Sequence, residues 1–401
     1  MPRYRAPGVH VEEAGAGNAA IEAAATTASV FIGPVRGGPG RCAPLPLLTG
    51  FDAFAHLHGD DADLAFRSGP TPHYLAHAVR AFFAEGGRRL YVLPLDHDGG
   101  DAPQAADYAQ ALAMARLPEE ASVLAAPGAS AWCVDVAAAY RVLIDAAEQP
   151  GARRFALLDA PPGATTTRIR ELARGHASGR AALYYPWIAV ARAAHVDAAA
   201  PAVLLPPSGH VCGIYARTDR ERGVHKAPAN ERLHTAAGLE RYSGTSEQEA
   251  LGPEGVNCIR DFTGRGIRVW GARTLSRDPG WTYVATRRYL DHLQRSIENG
   301  FAWVVFEPGG EALWRRVRAR IDRFLHEQWR AGALVGTRPE QAWFVRCDAT
   351  TMDADDIARG RVVCLAGVAT MRASEFQVLR LVWQTASPSA CGDRVAGAGP
   401  C

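Results

Sequence analysis

The chain has 401 residues, 48% apolar and 21% charged, and so exceeds the size at which one hydrophobic core keeps growing; two domains are expected. A formal charge of +2 argues against a chain built mainly to hold nucleic acid, and eight scattered cysteines without a CxxC pair give no zinc ribbon or disulfide framework, which leaves buried thiols. No apolar run reaches the roughly 18–20 residues of a bilayer span, so membrane insertion is not expected. The opening Met1-Pro2-Arg3-Tyr4-Arg5 lacks the apolar stretch of a signal peptide, so synthesis in a bacterial cytoplasm is expected.

In chain order, Pro7-Gly8-Val9-His10-Val11-Glu12 reads as a strand, and Ala14 to Ala28 as a small-residue tract that buries little; residues 1–28 are therefore expected to be an extended arm. From Ser29 the pattern is α/β. Strands are expected at Leu90–Leu95, Ser122–Ala126, Arg153–Asp159, Ala181–Tyr185 and Ala202–Leu205, with helices near Tyr74–Glu85, Ala105–Ala115, Val134–Glu148 and Thr166–His176 between them. This alternation predicts a largely parallel, helix-covered sheet over residues 29–220. A polar stretch, Thr218 to Thr245, breaks the rhythm and sets an expected boundary near 221.

The second domain, 221–374, reads as α+β. Strands Val256–Arg260 and Ile267–Arg273 flank a turn in which Gly264 and Gly266 take positive φ. A helix over Tyr283–Asn299, a strand at Ala302–Phe306 and a long helix over Glu311–Ala331 follow. Three further strands are expected near Ala342–Cys347, Arg361–Val368 and Glu375–Trp383. Along the long helix Leu313, Trp314, Val317, Ile321, Phe324, Leu325 and Trp329 form one apolar stripe, while Arg316, Arg320 and Arg323 lie off it, as a solvated face or a contact for an acidic partner. Residues 387–401, rich in Gly, Ser and Ala, are expected to be disordered.

No catalytic constellation emerges. His56-Leu57-His58-Gly59-Asp60-Asp61 comes close to a metal-binding pattern, but no later histidine cluster completes it and the preceding segment has the spacing of a short helix. Gly15-Ala16-Gly17-Asn18-Ala19-Ala20 matches GxGxxA without the βαβ unit that would give it meaning, and no GxxxxGK[ST] occurs. Ser208, His210 and Asp159 lack the GxSxG elbow of a hydrolase. Catalytic, cofactor and metal sites are thus expected to be absent; an enzyme on the α/β region is the alternative class.

The run GVNCIRDFTGRGIRVWGARTL from Gly255, WTYVATRRYLDHLQRSIENGFAWVVFEP after it, the opening YRAPGVHVEE and the closing EFQVLRLVWQ resemble the tail sheath proteins of contractile phages and phage-tail-like injection particles. That resemblance implies a two-domain subunit with an outer α/β domain, an inner α+β domain and strand arms at both ends (375–386 at the C-terminus). It also implies hexameric rings stacked around an inner tube protein, contacts with baseplate and tail-terminator proteins, and contraction that drives the tube through a target envelope. The arms leave their own subunit and pair with neighbours through Pro7, Val9 and Val11 at one end and Phe376, Val378, Leu381 and Trp383 at the other. Arg316, Arg320 and Arg323 become candidate contacts to the tube or a neighbour.

Overall fold

The computed structural model describes residues 20–37, 44–95, 100–191, 202–372 and 375–385, which divide into two compact units, one within 25–292 and one formed by 20–24 with 293–385. The expected arm residues Pro7, Val9 and Val11, the glycine loop at 15–19 and the tail beyond 385 lie outside the described residues.

In the larger unit the order is β1 (Ala28–Pro34), α1 (Phe51–His58), β2 (Leu64–Phe66), β3 (Gly69–Thr71), α2 (Tyr74–Ala84), β4 (Arg89–Leu95), α3 (Ala105–Met114), β5 (Ala121–Ala125), α4 (Ala129–Trp132), α5 (Val136–Glu148), β6 (Phe155–Asp159), α6 (Thr166–Gly175) and β7 (Ala181–Tyr185). Then come β8 (Ile188–Val190), β9 (Val203–Leu205), α7 (Ser208–Arg222), β10 (Glu231–Arg232), β11 (Gly238–Leu239), α8 (Thr245–Leu251), β12 (Val256–Phe262), β13 (Gly266–Val269) and α9 (Val284–Gly300), within which the two units divide. Strands β1, β5, β6 and β7 are buried along their whole length. Near-continuous apolar runs form because helices cover both faces of a parallel sheet. Ala28, Val30 and Ile32 point into the core shared with α3, α5 and α6, and Phe31 into the core shared with α1, α2 and α7.

The main sheet has eight strands in the order β10-β13-β12-β7-β6-β5-β1-β4. Because β12 pairs in parallel with β7 and hydrogen-bonds antiparallel to β13, the hairpin belongs to the first unit, and the boundary expected near 221 is corrected. The polar stretch is an excursion from the sheet rather than its end. Expected strand Ala202–Leu205 is also reassigned: β9 lies in a separate antiparallel sheet, β11-β8-β9.

In the smaller unit, α10 (Glu311–Arg330), α11 (Pro339–Ala342), β14 (Trp343–Arg346), α12 (Ala354–Ala358), β15 (Arg361–Val368) and β16 (Gln377–Gln384) build a three-stranded antiparallel sheet with β15 in the middle. Leu313, Val317, Ile321, Phe324 and Leu325 of α10 are buried as one stripe, each contributing about 1.5–3 kcal/mol, and Trp343 donates to Asp322 at 2.9 Å. The strand expected at Ala302–Phe306 is instead a 3₁₀ helix. Phe301 and Val304, three apart, are buried while Phe306 is 84% exposed, a period of three that no strand can satisfy.

Candidate assembly surfaces

The β12–β13 turn has φ of +73° at both Gly264 and Gly266, backbone that only glycine adopts cheaply. It carries an aromatic and arginine face: Phe262 lies 4.5 Å from Trp270, centroid to centroid, with Arg260 and Arg265 at 5.3 and 5.5 Å from the Phe262 ring.

Strand β16 pairs with β15 through all eight of its residues, from Gln377 opposite Val368 to Gln384 opposite Arg361. The expectation that this segment leaves its own subunit is therefore corrected for the chain as described. A hairpin connection brings β16 back to β15 at little entropic cost, whereas pairing with another copy must also offset lost translational freedom. The anchor set changes as well. Leu381 and Trp383 are buried, Trp383 against Phe301 at 5.2 Å, and Phe376 lies edge-on to Phe344, but Val378 is 54% exposed because a one-residue offset puts it on the opposite face. Val378 and Val382 remain as apolar residues on the outer face of an edge strand.

The three candidate arginines, among six on α10, separate into different environments. Arg316 pairs with Glu307 at 3.0 Å and lies 4.5 Å over Trp303. Arg320 is only 8% exposed, sits 5.2 Å from the Phe301 ring and 5.8 Å from that of Trp303, and its Nε and Nη1 have no hydrogen-bond partner; its placement on a free outer face is corrected. Position 320 follows Val317 by three residues and adjoins Ile321, so it falls at the border of the buried stripe. Burial, with Arg323 and Arg316 nearby, lowers its pKa. Arg323 alone of the three is exposed and outside any ion pair among the described residues.

The residues suspected of chemistry take structural parts. His58 is buried with Nδ1 2.9 Å from the Gly37 carbonyl oxygen, and no group of His, Cys, Asp or Glu among the described residues is placed to hold a metal. The described cysteines, 133, 212, 258, 347 and 364, are all free and buried. A hollow of about 930 Å³, lined by Asp60, Asp61, Asp63, His77, Arg80, Val190, Val203, Leu205 and His210, brings no nucleophile to a base. Ser208 and His210 open α7, a helix absent from the sequence reading. Both are buried, and Ser208 donates through its amide and its hydroxyl to Asp159 at 2.6 Å each. Asp159 thus caps α7 instead of orienting a histidine.

Burial pushes the Asp159 carboxyl up to about 7, against the two Ser208 hydrogen bonds that favour its charged form. A raised carboxyl pKa means that its contribution to stability is fully present below the unfolded value near 4 and is lost as pH rises through 7. Melting of the subunit is expected to weaken by roughly 2–4 kcal/mol across that window, and Asp159→Asn to flatten the slope. Parallel pH profiles for the two proteins would rule out this titration.

The larger unit thus carries a mixed, mostly parallel eight-stranded sheet, and in the smaller unit β16 is an edge strand of a three-stranded antiparallel sheet. Residues 101–275 match the phage tail sheath protein central domain and 276–383 the phage tail sheath C-terminal domain, and the chain belongs to the phage tail sheath family. It is 27% identical over 214 residues to a prophage major tail sheath protein of Pseudomonas aeruginosa, a match covering 52% of this chain and 53% of that protein. The chain spans about half the length of the curated relatives it matches. Among solved structures it is similar to the anti-feeding prophage helical sheath in its contracted state (29% identity, TM-score 0.73, 94% of this chain and 99% of that one). It is also similar to the sheath complex of an extracellular contractile injection system, PVC, in the contracted state (28%, TM-score 0.72, 95% and 98%).

Proposed function

We propose that the chain is the structural subunit of a contractile tail sheath, stacking as hexameric rings around an inner tube, held at the baseplate and tail-terminator ends, and contracting to drive the tube through a target envelope. The observation that carries this reading is a likeness of nearly full length on both sides to two contracted sheaths at 28–29% identity, which extends through both units of the chain. Both family models that match are sheath domains, which favours this reading over an enzyme on the α/β unit. No helix of the described residues is long and apolar enough to cross a membrane.

In this proposal the larger unit is the outer domain and the smaller one the inner, assembly domain. Pro7, Val9 and Val11 supply a strand to a neighbouring copy, adding main-chain hydrogen bonds at an open edge, with Val378 and Val382 on the face such a contact would cover. Arg323 is the α10 residue left to meet an acidic tube or neighbour. Contraction is relaxation between two packings of the same subunits, with a baseplate signal biasing the balance.

Deleting Met1 to Glu13 tests the reading. The truncated subunit is expected to melt like the full chain and to form no tubes in negative stain when mixed with its inner tube protein, whereas the full chain does. Long sheaths from the truncated protein would remove the arm from the proposal, and a full chain that forms no polymer would remove the sheath itself.

A further inference from the structure

Arginine in the larger unit is usually answered by a carboxylate: Arg80 by Asp61, Arg89 by Glu120, Arg174 by Glu254, Arg180 by Asp291, Arg217 by Glu85 and Arg288 by Asp219, all within 3.2 Å. The β12–β13 hairpin departs from this rule. Between 260 and 273 it carries four arginines, Arg260, Arg265, Arg268 and Arg273, against one carboxylate, Asp261. None of the four has an ion-pair partner among the described residues. Their hydrogen bonds go to neutral oxygens: Arg260 to Gln248 Oε1, Arg265 to Asn230 Oδ1, and Arg268 to the carbonyls of Arg265 and Asn230. Glu249 shares a surface hollow with Arg260, Trp270 and Arg273 but pairs with none of them. Partly exposed Phe262 and Trp270 stand among these cations, and Arg273 lies 5.7 Å from the ring of Tyr283. Unpaired arginines interleaved with aromatic rings are the composition of interface hot spots.

A complement exists at the far side of the same sheet. The Asp60-Asp61-Ala62-Asp63 loop is tied to the C-terminal end of β1, where His73 lies 3.1 Å from both the Pro34 and Asp60 carbonyl oxygens and Arg36 donates to the Asp63 carbonyl at 2.5 Å. Asp61 is occupied by Arg80, but Asp60 is 67% exposed, with a 3.5 Å contact to Arg36 and the Ala62 amide donating to its Oδ1 at 3.2 Å, and Asp63 is exposed. Strands β7, β6 and β5 stand between β12 and β1, so four strand spacings, about 19 Å, separate the hairpin from the acidic loop. Because β12 runs parallel to β7, β6, β5 and β1, the 263–265 turn with Arg265 sits on the same C-terminal rim as the acidic loop, whereas β13 runs back and carries Arg273, whose amide donates to Asn257 Oδ1, toward the N-terminal end of β12.

We propose that the arginine face of the β12–β13 hairpin docks on the Asp60–Asp63 loop of a second copy of this chain. Two complementary patches four strand spacings apart in one sheet cannot satisfy each other within a subunit; between copies they make a head-to-tail contact, the kind that propagates into rings or helices. A balanced chain charge of +2 disfavours nucleic acid as the occupant. The inference rests on the sheath reading only in requiring that copies polymerise.

The test is a charge swap, read as sheath formation on the inner tube by sedimentation and negative stain. Arg265→Glu with Arg268→Glu, and separately Asp60→Arg with Asp63→Arg, are each expected to raise the subunit concentration needed for polymers by more than about tenfold, as like charges meet. All four changes together are expected to restore assembly to near the wild-type level. If a reversed variant melts early, Arg265→Gln with Arg268→Gln takes its place and is expected to make assembly less sensitive to salt. Normal assembly by either reversed face, failure of the swap in subunits that melt normally, or unchanged salt sensitivity in the glutamine variant would overturn the proposal. So would duplex DNA binding that the arginine reversal abolishes while assembly stays normal. Wild-type protein that forms no polymer on tube at any salt would instead refute the sheath reading, and the proposal with it.

Discussion

Replacing Gly209 with valine is expected to destabilise the subunit by about 3 kcal/mol or more, a large share of the roughly 5–15 kcal/mol that holds an ordinary domain folded. A Cβ at Gly209 would stand 2.6 Å from Ala78 Cα and 2.7 Å from the Ala78 carbonyl oxygen, and one at Gly213, a turn later, 2.5 Å from the Phe82 carbonyl oxygen. The obstacles are backbone atoms of α2, which cannot swing aside as a side chain can. Glycine inside a helix costs up to about 1 kcal/mol relative to alanine, so even Gly209→Ala sets a small propensity gain against a larger separation of α2 from α7. Urea unfolding of Gly209→Ala, Gly209→Val and the wild type is expected to give midpoints falling in the order wild type, alanine, valine. An alanine variant as stable as the wild type would mean that the helices do not need this close approach.

Arg320→Glu is expected to cost about 3–5 kcal/mol in the isolated subunit, whereas Arg323→Glu is expected to cost less than about 1 kcal/mol. The difference is burial. Arg320 is 8% exposed over two aromatic rings, and a carboxylate there would be buried against the negative faces of Phe301 and Trp303. Arg320→Met separates shape from charge: since no carboxylate pairs with Arg320, methionine is expected to stay within about 1 kcal/mol of the wild type. Thermal melts of the three variants check this, and an Arg320→Glu subunit as stable as Arg323→Glu would return Arg320 to the solvated face. Reversing Arg316, Arg320 and Arg323 together would confound folding with assembly, so Arg323 is the position at which to ask about a tube contact.

Much of the larger unit was legible in the sequence because local pattern and environment agree there. The stretches at 90–95, 122–125, 155–159 and 181–185 are short apolar runs bounded by turns, and fully buried parallel strands need only that. The amphipathic stripe of α10 set its length and its inner face for the same reason. Helix α7 escaped because every residue from Ser208 to Thr218 is buried: a helix wrapped on all sides shows no polar face, and its two glycines, weak helix formers, are points of contact with α2. The same tripeptide, Ser208-Gly209-His210, therefore looked like fragments of a catalytic site.

What the sequence determined by itself is the inventory: family, element types where periodicity is strong, the glycine turn at 264–266 and the lack of a reaction motif. Tertiary structure decided membership and facing. It gave the β12–β13 hairpin to the eight-stranded sheet, returned β16 to its own chain and turned Arg320 inward. The partners in those two strand pairings lie from 9 to 73 residues apart in the chain, from Gln377 opposite Val368 to Val256 opposite Leu183, and a strand edge or helix border presents the same local pattern whichever partner covers it. Only the packed structure supplies that partner.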